Sequence, residues 1–150
     1  MTGASPLRRL HSSGGPWEDA FGYSRAIRTG DRIVVSGCTA LVDGVVQCRG
    51  DAGAQMRLAL DSALGAITAL GGNLGDVIRT RTYVVNRADC ATVGQAHRER
   101  FADVLPAATM ILVAGLVDED MLVEVEVEAR AGSAKPDDHH GLSSWGHPDE

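Results

Sequence analysis

The chain has 150 residues, 44% of them hydrophobic but only 4% aromatic, and it carries a net charge of −6. That length supports one domain with a core of aliphatic side chains, and the acidic balance excludes a surface built to neutralise nucleic-acid phosphates. Cys38, Cys48 and Cys90 form no C-x-x-C pair, no signal-peptide pattern follows Arg8 and Arg9, and no apolar run approaches a bilayer-spanning length. The expected setting is therefore the cytoplasm, with reduced thiols and no membrane partner.

Residues 1–16, rich in Ser, Gly and Pro, are expected to form a flexible arm, residues 17–130 the folded domain, and residues 131–150 a disordered tail. YSRAIR (23–28) and DRIVVSG (31–37) flank a Thr29-Gly30 corner and predict a hairpin. Asp43-Gly44 predicts a second, shorter one between Leu41-Val42 and Val45-Val46. Asp51 then caps a helix over 52–70, where Met56, Leu60, Ala63, Leu64, Ile67 and Leu70 form one apolar stripe and Gly71-Gly72 supplies the stop. DVIRTRTYVV (76–85) alternates as a strand, with Val77, Arg79, Arg81 and Tyr83 on one face and Ile78, Thr80, Thr82 and Val84 on the other.

A second helix is expected over about 90–103, capped by Asp89 and ended by Pro106, followed by strands in ATMILVAG (108–115) and MLVEVEVEA (121–129). This order predicts an α+β fold with two helices on one face of a mixed sheet. Along the last strand Val123, Val125 and Val127 oppose Glu124, Glu126 and Glu128. The glutamate face is left either to water, with cross-strand ion pairs, or to another subunit across an interface that encloses polar clefts.

Six stretches in order, GYSRAI (22–27), VVSGCTA (34–40), the helix from Asp51, DVIRTRTYVV (76–85), PAATM (106–110) and LVEVEVEA (122–129), resemble the RidA (YjgF) family over about 17–130. The resemblance implies a chorismate-mutase-like fold and a homotrimer with small-molecule clefts between subunits. It also implies hydrolysis of reactive enamines and imines to 2-oxo acids and ammonia without a metal or other cofactor. In archetypal members the segment after the proline reads P-A-R-S-C, and its Arg grips the substrate carboxylate. Here Ala108 stands in the place of that Arg and Met110 in the place of the Cys. The chain thus resembles a non-archetypal branch whose substrate differs.

The resemblance places Glu126 at the family's cleft glutamate, which orients the hydrolytic water; an ion pair with Arg79 or Arg81 is the other role open to it. Tyr23 corresponds to a cleft tyrosine, or packs at a strand start with its hydroxyl exposed. Ser36 and Gly37 match the family's S-G segment, where a ligand can approach bare backbone, although a turn glycine reads the same way. Cys38 is a nucleophile only if its pKa is depressed, and otherwise a buried thiol. Thr109 offers a hydroxyl to a ligand or simply suits a strand. Arg81 is the candidate replacement cation, or balances the glutamates. His97 is a titratable group for the cleft, or a packed helix residue. The tail histidines His139, His140 and His147 sit beside Asp137 and Asp138, and no metal is assigned to them. Two functions remain open: a RidA-like hydrolase or deaminase acting on small imines, enamines or related carbonyl compounds, and a non-catalytic module that binds 2-oxo acids or similar molecules.

Overall fold

The computed structural model describes residues 7–134. Eight strands and three α-helices follow in the order β1 (Arg9–His11), α1 (Pro16–Phe21), β2 (Ala26–Thr29), β3 (Arg32–Cys38), β4 (Leu41–Val42), β5 (Val45–Val46), α2 (Ala52–Ala69), β6 (Val77–Val84), α3 (Cys90–Phe101), β7 (Ala107–Leu112) and β8 (Val123–Arg130). Six strands form one sheet in the order β1-β2-β3-β8-β6-β7, and β4 with β5 make a separate hairpin. Only the β6–β7 pair is parallel, so the sheet is mixed.

The core lies between this sheet and the two long helices. Ile33, Val35, Val123, Val125 and Val127 project from β3 and β8 onto Met56, Leu60, Ala63 and Ile67 of α2, all of them almost fully buried. Helix α3 covers the β6 side of the same face with Val93, Ala96 and Phe101. Alternation along β8 sends the valines inward and the glutamates outward, as a period of two requires. The Asp51 carboxylate accepts from Ala54 N–H at 3.0 Å and starts α2. Gly71 ends the helix with φ +84°, a left-handed conformation that costs a glycine little. The β4–β5 turn uses positive φ at both Asp43 and Gly44, which matches the twist of a two-residue hairpin.

Gln55 is the one fully buried amide on α2. Its Nε2 donates to the carbonyls of Gln47 (3.1 Å) and Asp120 (2.9 Å), and its Oε1 accepts from Leu122 N–H at 2.8 Å. One side chain thus ties the segment after β5 and the loop before β8 to the helix.

Three expectations are corrected. The first concerns the arm over residues 1–16, part of which is ordered: Arg9–His11 pairs antiparallel with β2 as the sheet's edge strand. The following loop is gathered on Glu18, whose carboxylate accepts from Ser13 N–H, Ser13 Oγ and Gly15 N–H. Burial pushes the Glu18 carboxyl up, but the hydrogen bonds from Ser13, Ser12 and Gly15 outweigh it and hold it below its ordinary value. Second, the faces of β6 do not alternate from its first residue. Two residues there, Ile78 and Arg79, oppose Glu128, so a bulge puts Val77 in the core with Thr80, Thr82 and Val84 and turns Ile78 outward. Third, Asp89 makes no capping hydrogen bond, because α3 continues directly from a 3-10 turn over Arg87–Asp89. The tail from residue 135 onward, with the histidines at 139, 140 and 147, lies outside the described residues.

Candidate functional site

A second bulge shapes the site. Between the pairs Val35–Val127 and Cys38–Val125, β3 spends three residues where β8 spends two. Val35 and Cys38 therefore both face the core, and Ser36 and Gly37 are freed from regular alternation. Ser36 is fixed there through its N–H to the Arg25 carbonyl (2.9 Å) and its Oγ to the Ser24 carbonyl (2.7 Å). Arg25 reaches across from the chain before β2. Its Nη1 donates to the Gly37 carbonyl at 2.6 Å and approaches Cys38 Sγ at 3.6 Å. The same guanidinium lies 5.8 Å from the centre of the Tyr23 ring, within cation–π range.

Glu124, the first glutamate of β8, lies against this bulge. A Cβ built on Gly37 would fall 1.8 Å from Glu124 Oε1, so the carboxylate occupies the space that a side chain at 37 would fill. Among the described residues Glu124 has no ion pair or hydrogen-bond partner for its carboxylate. Burial, and then the charge of Glu126, push its carboxyl above the ordinary value, against the pull of Arg25. A carboxyl raised in this way holds its proton more readily than an exposed one, which suits it to donate as well as to accept.

These groups open onto a cavity of about 840 Å³, within the usual range for small-molecule sites. Tyr23, Arg25, Ser36, Gly37, Cys38 and Glu124 line its polar end. Trp17 and Phe21 of α1 contribute an aromatic wall, with ring centres 6.2 Å apart, and the β4–β5 hairpin and one side of α2 form the rim.

Within the single chain, the cavity gathers only part of the sequence-derived set. Tyr23, Ser36, Gly37 and Cys38 line it. Cys38 is a buried thiol: burial pushes its pKa up and the Arg25 charge offsets this only in part, so it is not a thiolate nucleophile. Glu126 stands next along the glutamate face, where it accepts from Tyr83 Oη at 2.7 Å and pairs with Arg81 at 3.5 Å. That hydrogen bond, more than burial, raises the Tyr83 phenol. Arg81 is thus engaged with a glutamate. Glu128, the last of the row, is held by Arg32 and Arg79, and the hydrogen bond from Arg32 keeps its carboxyl low.

His97 is on the opposite, helix-covered side of the sheet. Its Nε2 is 2.8 Å from Thr80 Oγ1, its ring packs on Phe101, and burial lowers its pKa. The cleft-facing role considered for it is therefore corrected to a packed one. Ala108, Thr109 and Met110 are exposed on the edge strand β7. With β8 and β6 lying between β3 and β7, about 14 Å separates them from the bulge, too far to serve the same cavity within one chain.

Sequence reasoning missed Arg25, Glu124 and the α1 aromatics. Glu124 shares the alternation of Glu126, and Arg25 shares a face with Tyr23 at a spacing of two, so both signals were present. No local pattern brings Trp17 and Phe21 to the site.

Comparison with known proteins agrees with this architecture. The family model described as Endoribonuclease L-PSP matches residues 17–131. The uncharacterized protein SCO2049 of Streptomyces coelicolor is 41% identical over 127 residues, covering 85% of this chain and 94% of that one. A 2-iminobutanoate/2-iminopropanoate deaminase of Escherichia coli is 29% identical over 112 residues, 73% of this chain and 85% of the enzyme. Among solved structures, Rv2704 of Mycobacterium tuberculosis, described as a member of the YjgF/YER057c/UK114 family, superposes with a TM-score of 0.76 at 38% identity, covering 83% of this chain and 100% of its own. With the match spanning nearly the whole described domain and the same α+β architecture, the chain belongs to the RidA (YjgF) family, the family of the Endoribonuclease L-PSP model.

Proposed function

We propose that this protein is a RidA-like, cofactor-free hydrolase that converts small reactive imines or enamines to carbonyl compounds and ammonia, and that its substrate differs from the 2-imino acids named for the Escherichia coli relative. The observation that carries the proposal is the half-buried Glu124 carboxyl at the mouth of the Gly37 bulge, unpaired among the described residues. Protonated, it donates to the imine nitrogen. As the carboxylate, it then orients a water whose oxygen bonds to the imine carbon, and it accepts the proton that this water loses. Glu124 passes that proton to the nitrogen of the resulting carbinolamine and takes up the hydroxyl proton as the C–N bond breaks, so that a carbonyl forms, nitrogen departs as ammonia and Glu124 ends protonated again. One water is consumed for each imine. The Tyr23 hydroxyl holds the ligand at the polar end, and Arg25 braces that end through the Gly37 carbonyl and the Tyr23 ring. Glu126, kept in place by Tyr83 and Arg81, stands beside Glu124 and raises its proton affinity.

Ala108 in the position of the family's arginine supports a non-archetypal branch, because an alanine offers nothing to a substrate carboxylate. The purified protein is expected to speed ammonia release from at least one imine generated in solution. No acceleration across amine-derived and amino-acid-derived imines, with ligand binding alone detected, would leave a binding module and overturn the hydrolase.

The same proposal takes the protein as a homotrimer. Support comes from the uncovered sheet face and edge, where Val34, Ile78, Met110, Ile111 and Leu112 are each 38–46% exposed beside the Arg–Glu pairs. That is more apolar surface than scattered single residues would leave. Light scattering at micromolar concentration is expected to give three times the 15.8 kDa chain mass; a monomer would contradict the assembly.

A further inference from the structure

We infer that the cavity selects imines derived from amines that carry an apolar or aromatic body and no carboxylate. The inference rests on the proposed hydrolysis and names its substrate class. Three features of the cavity lead to it. First, the charges that face it are lopsided. Glu124 and Asp43 have no cationic partner among the described residues, and Asp61 at the rim is already paired with Arg100. Among the described residues the one guanidinium in the lining, Arg25, is committed to the Gly37 carbonyl and lies over Tyr23. His11, also at the rim, is the remaining basic group there. Once Glu124 has given its proton to the imine nitrogen, the resulting R–CH=NH₂⁺ stands against a carboxylate, whereas an anionic substituent would face that carboxylate as a like charge.

Second, the wall facing the polar end is built to cover carbon rather than charge. Trp17 and Phe21 stand edge to face, and Phe21 is 73% and Val117 74% exposed. Both line the cavity with Met121. An aryl or alkyl body would bury that surface, and the Trp17 ring adds an attractive face for a cation. Third, the volume of about 840 Å³ leaves room for such a body well beyond the reacting carbon and nitrogen. The reaction is R–CH=NH₂⁺ plus water giving R–CHO plus NH₄⁺, with no electron transfer.

A matched pair of substrates isolates the carboxylate. One arm generates the imine of 2-phenylethylamine with a flavin amine oxidase, and the other generates the imine of phenylalanine with an amino-acid oxidase, each with catalase present. Semicarbazide traps imine that escapes hydrolysis, and only the initial rate of semicarbazone formation is compared, before the carbonyl product accumulates and condenses with the same reagent. Added protein should suppress semicarbazone formation in the amine arm at a concentration at least about tenfold lower than in the amino-acid arm. Equal suppression, or preference for the amino-acid imine, overturns the inference and leaves the hydrolysis standing.

If neither arm responds, it is the hydrolysis that fails, and thermal shifts with two stable ligands decide the ligand class. Stabilisation by 2-phenylethylammonium but not by phenylpyruvate upholds the class. Stabilisation by phenylpyruvate alone, or by neither, overturns it.

Discussion

Gly37→Ala is expected to cut imine hydrolysis about a hundredfold, the scale of loss associated with a reacting group misplaced by about 1 Å, while leaving the protein folded. The added Cβ would fall 1.8 Å from Glu124 Oε1 and 2.8 Å from its Cδ, so the carboxyl group has to move. The only atoms in conflict belong to the far part of a half-exposed, flexible side chain with no ion pair to break. The backbone of Gly37 is not in the left-handed region, so alanine introduces no strain there. Stability and activity should therefore separate: a melting temperature close to that of the unaltered protein, and a kcat far below it. A variant that melts normally and turns over normally would show that the position of Glu124 against the bulge does not matter to the chemistry.

Gln55→Leu is expected to have the largest effect on stability. Leucine keeps most of the volume but removes every hydrogen bond the amide makes. Leu122 N–H and the carbonyls of Asp120 and Gln47 would then lose their partner in the interior. A buried polar group left without its partner costs about 1–3 kcal/mol, so the several groups released here should together cost about 3 kcal/mol. For a chain of this size that corresponds to a fall in melting temperature of roughly 6–12 °C. Because the same amide ties down Met121 and the hairpin rim, activity should weaken with it. A melting point unchanged in thermal denaturation would mean that water satisfies these groups and that Gln55 is not a tie between the segments.

Most of the architecture could be read from residue periodicity. The stripe from Met56 to Leu70, the caps Asp51 and Gly71, and the alternation of Val123, Val125 and Val127 each follow from local geometry, and each element stands where its pattern puts it. What escaped depends on partners distant in sequence. Arg9–His11 is a strand only because β2 offers an open edge, and three residues contain no period to read. The bulges at Ile78 and at Ser36-Gly37 leave no mark in composition, since they arise from the register of β6 and β3 against β8. A period of two, carried through the first of them, puts Val77 on the wrong face.

The site was legible in the same uneven way. Tyr23 and the Ser36–Cys38 segment are neighbours in the cavity because they flank one hairpin, and short-range pairing is visible in sequence. Arg25, by contrast, acquires its place through the Gly37 carbonyl, and Glu124 through the empty space beside Gly37. His97 shows the opposite error. Its titratable ring drew attention, yet it meets Thr80 of β6 and packs against Phe101 one turn along its own helix. Whether a polar residue serves chemistry or packing is set by what stands opposite it, and only the tertiary structure supplies that.

The central claim is that Glu124 moves the protons of imine hydrolysis, and the most direct test compares Glu124→Gln with Glu126→Gln on the imine that the unaltered protein hydrolyses fastest. The amide matches the carboxyl in shape but can neither donate an acidic proton nor accept one. The account predicts a loss of at least about a hundredfold in kcat for Glu124→Gln, with the fold intact by circular dichroism, and a much smaller loss for Glu126→Gln. Turnover by Glu124→Gln at the rate of the unaltered protein would contradict it.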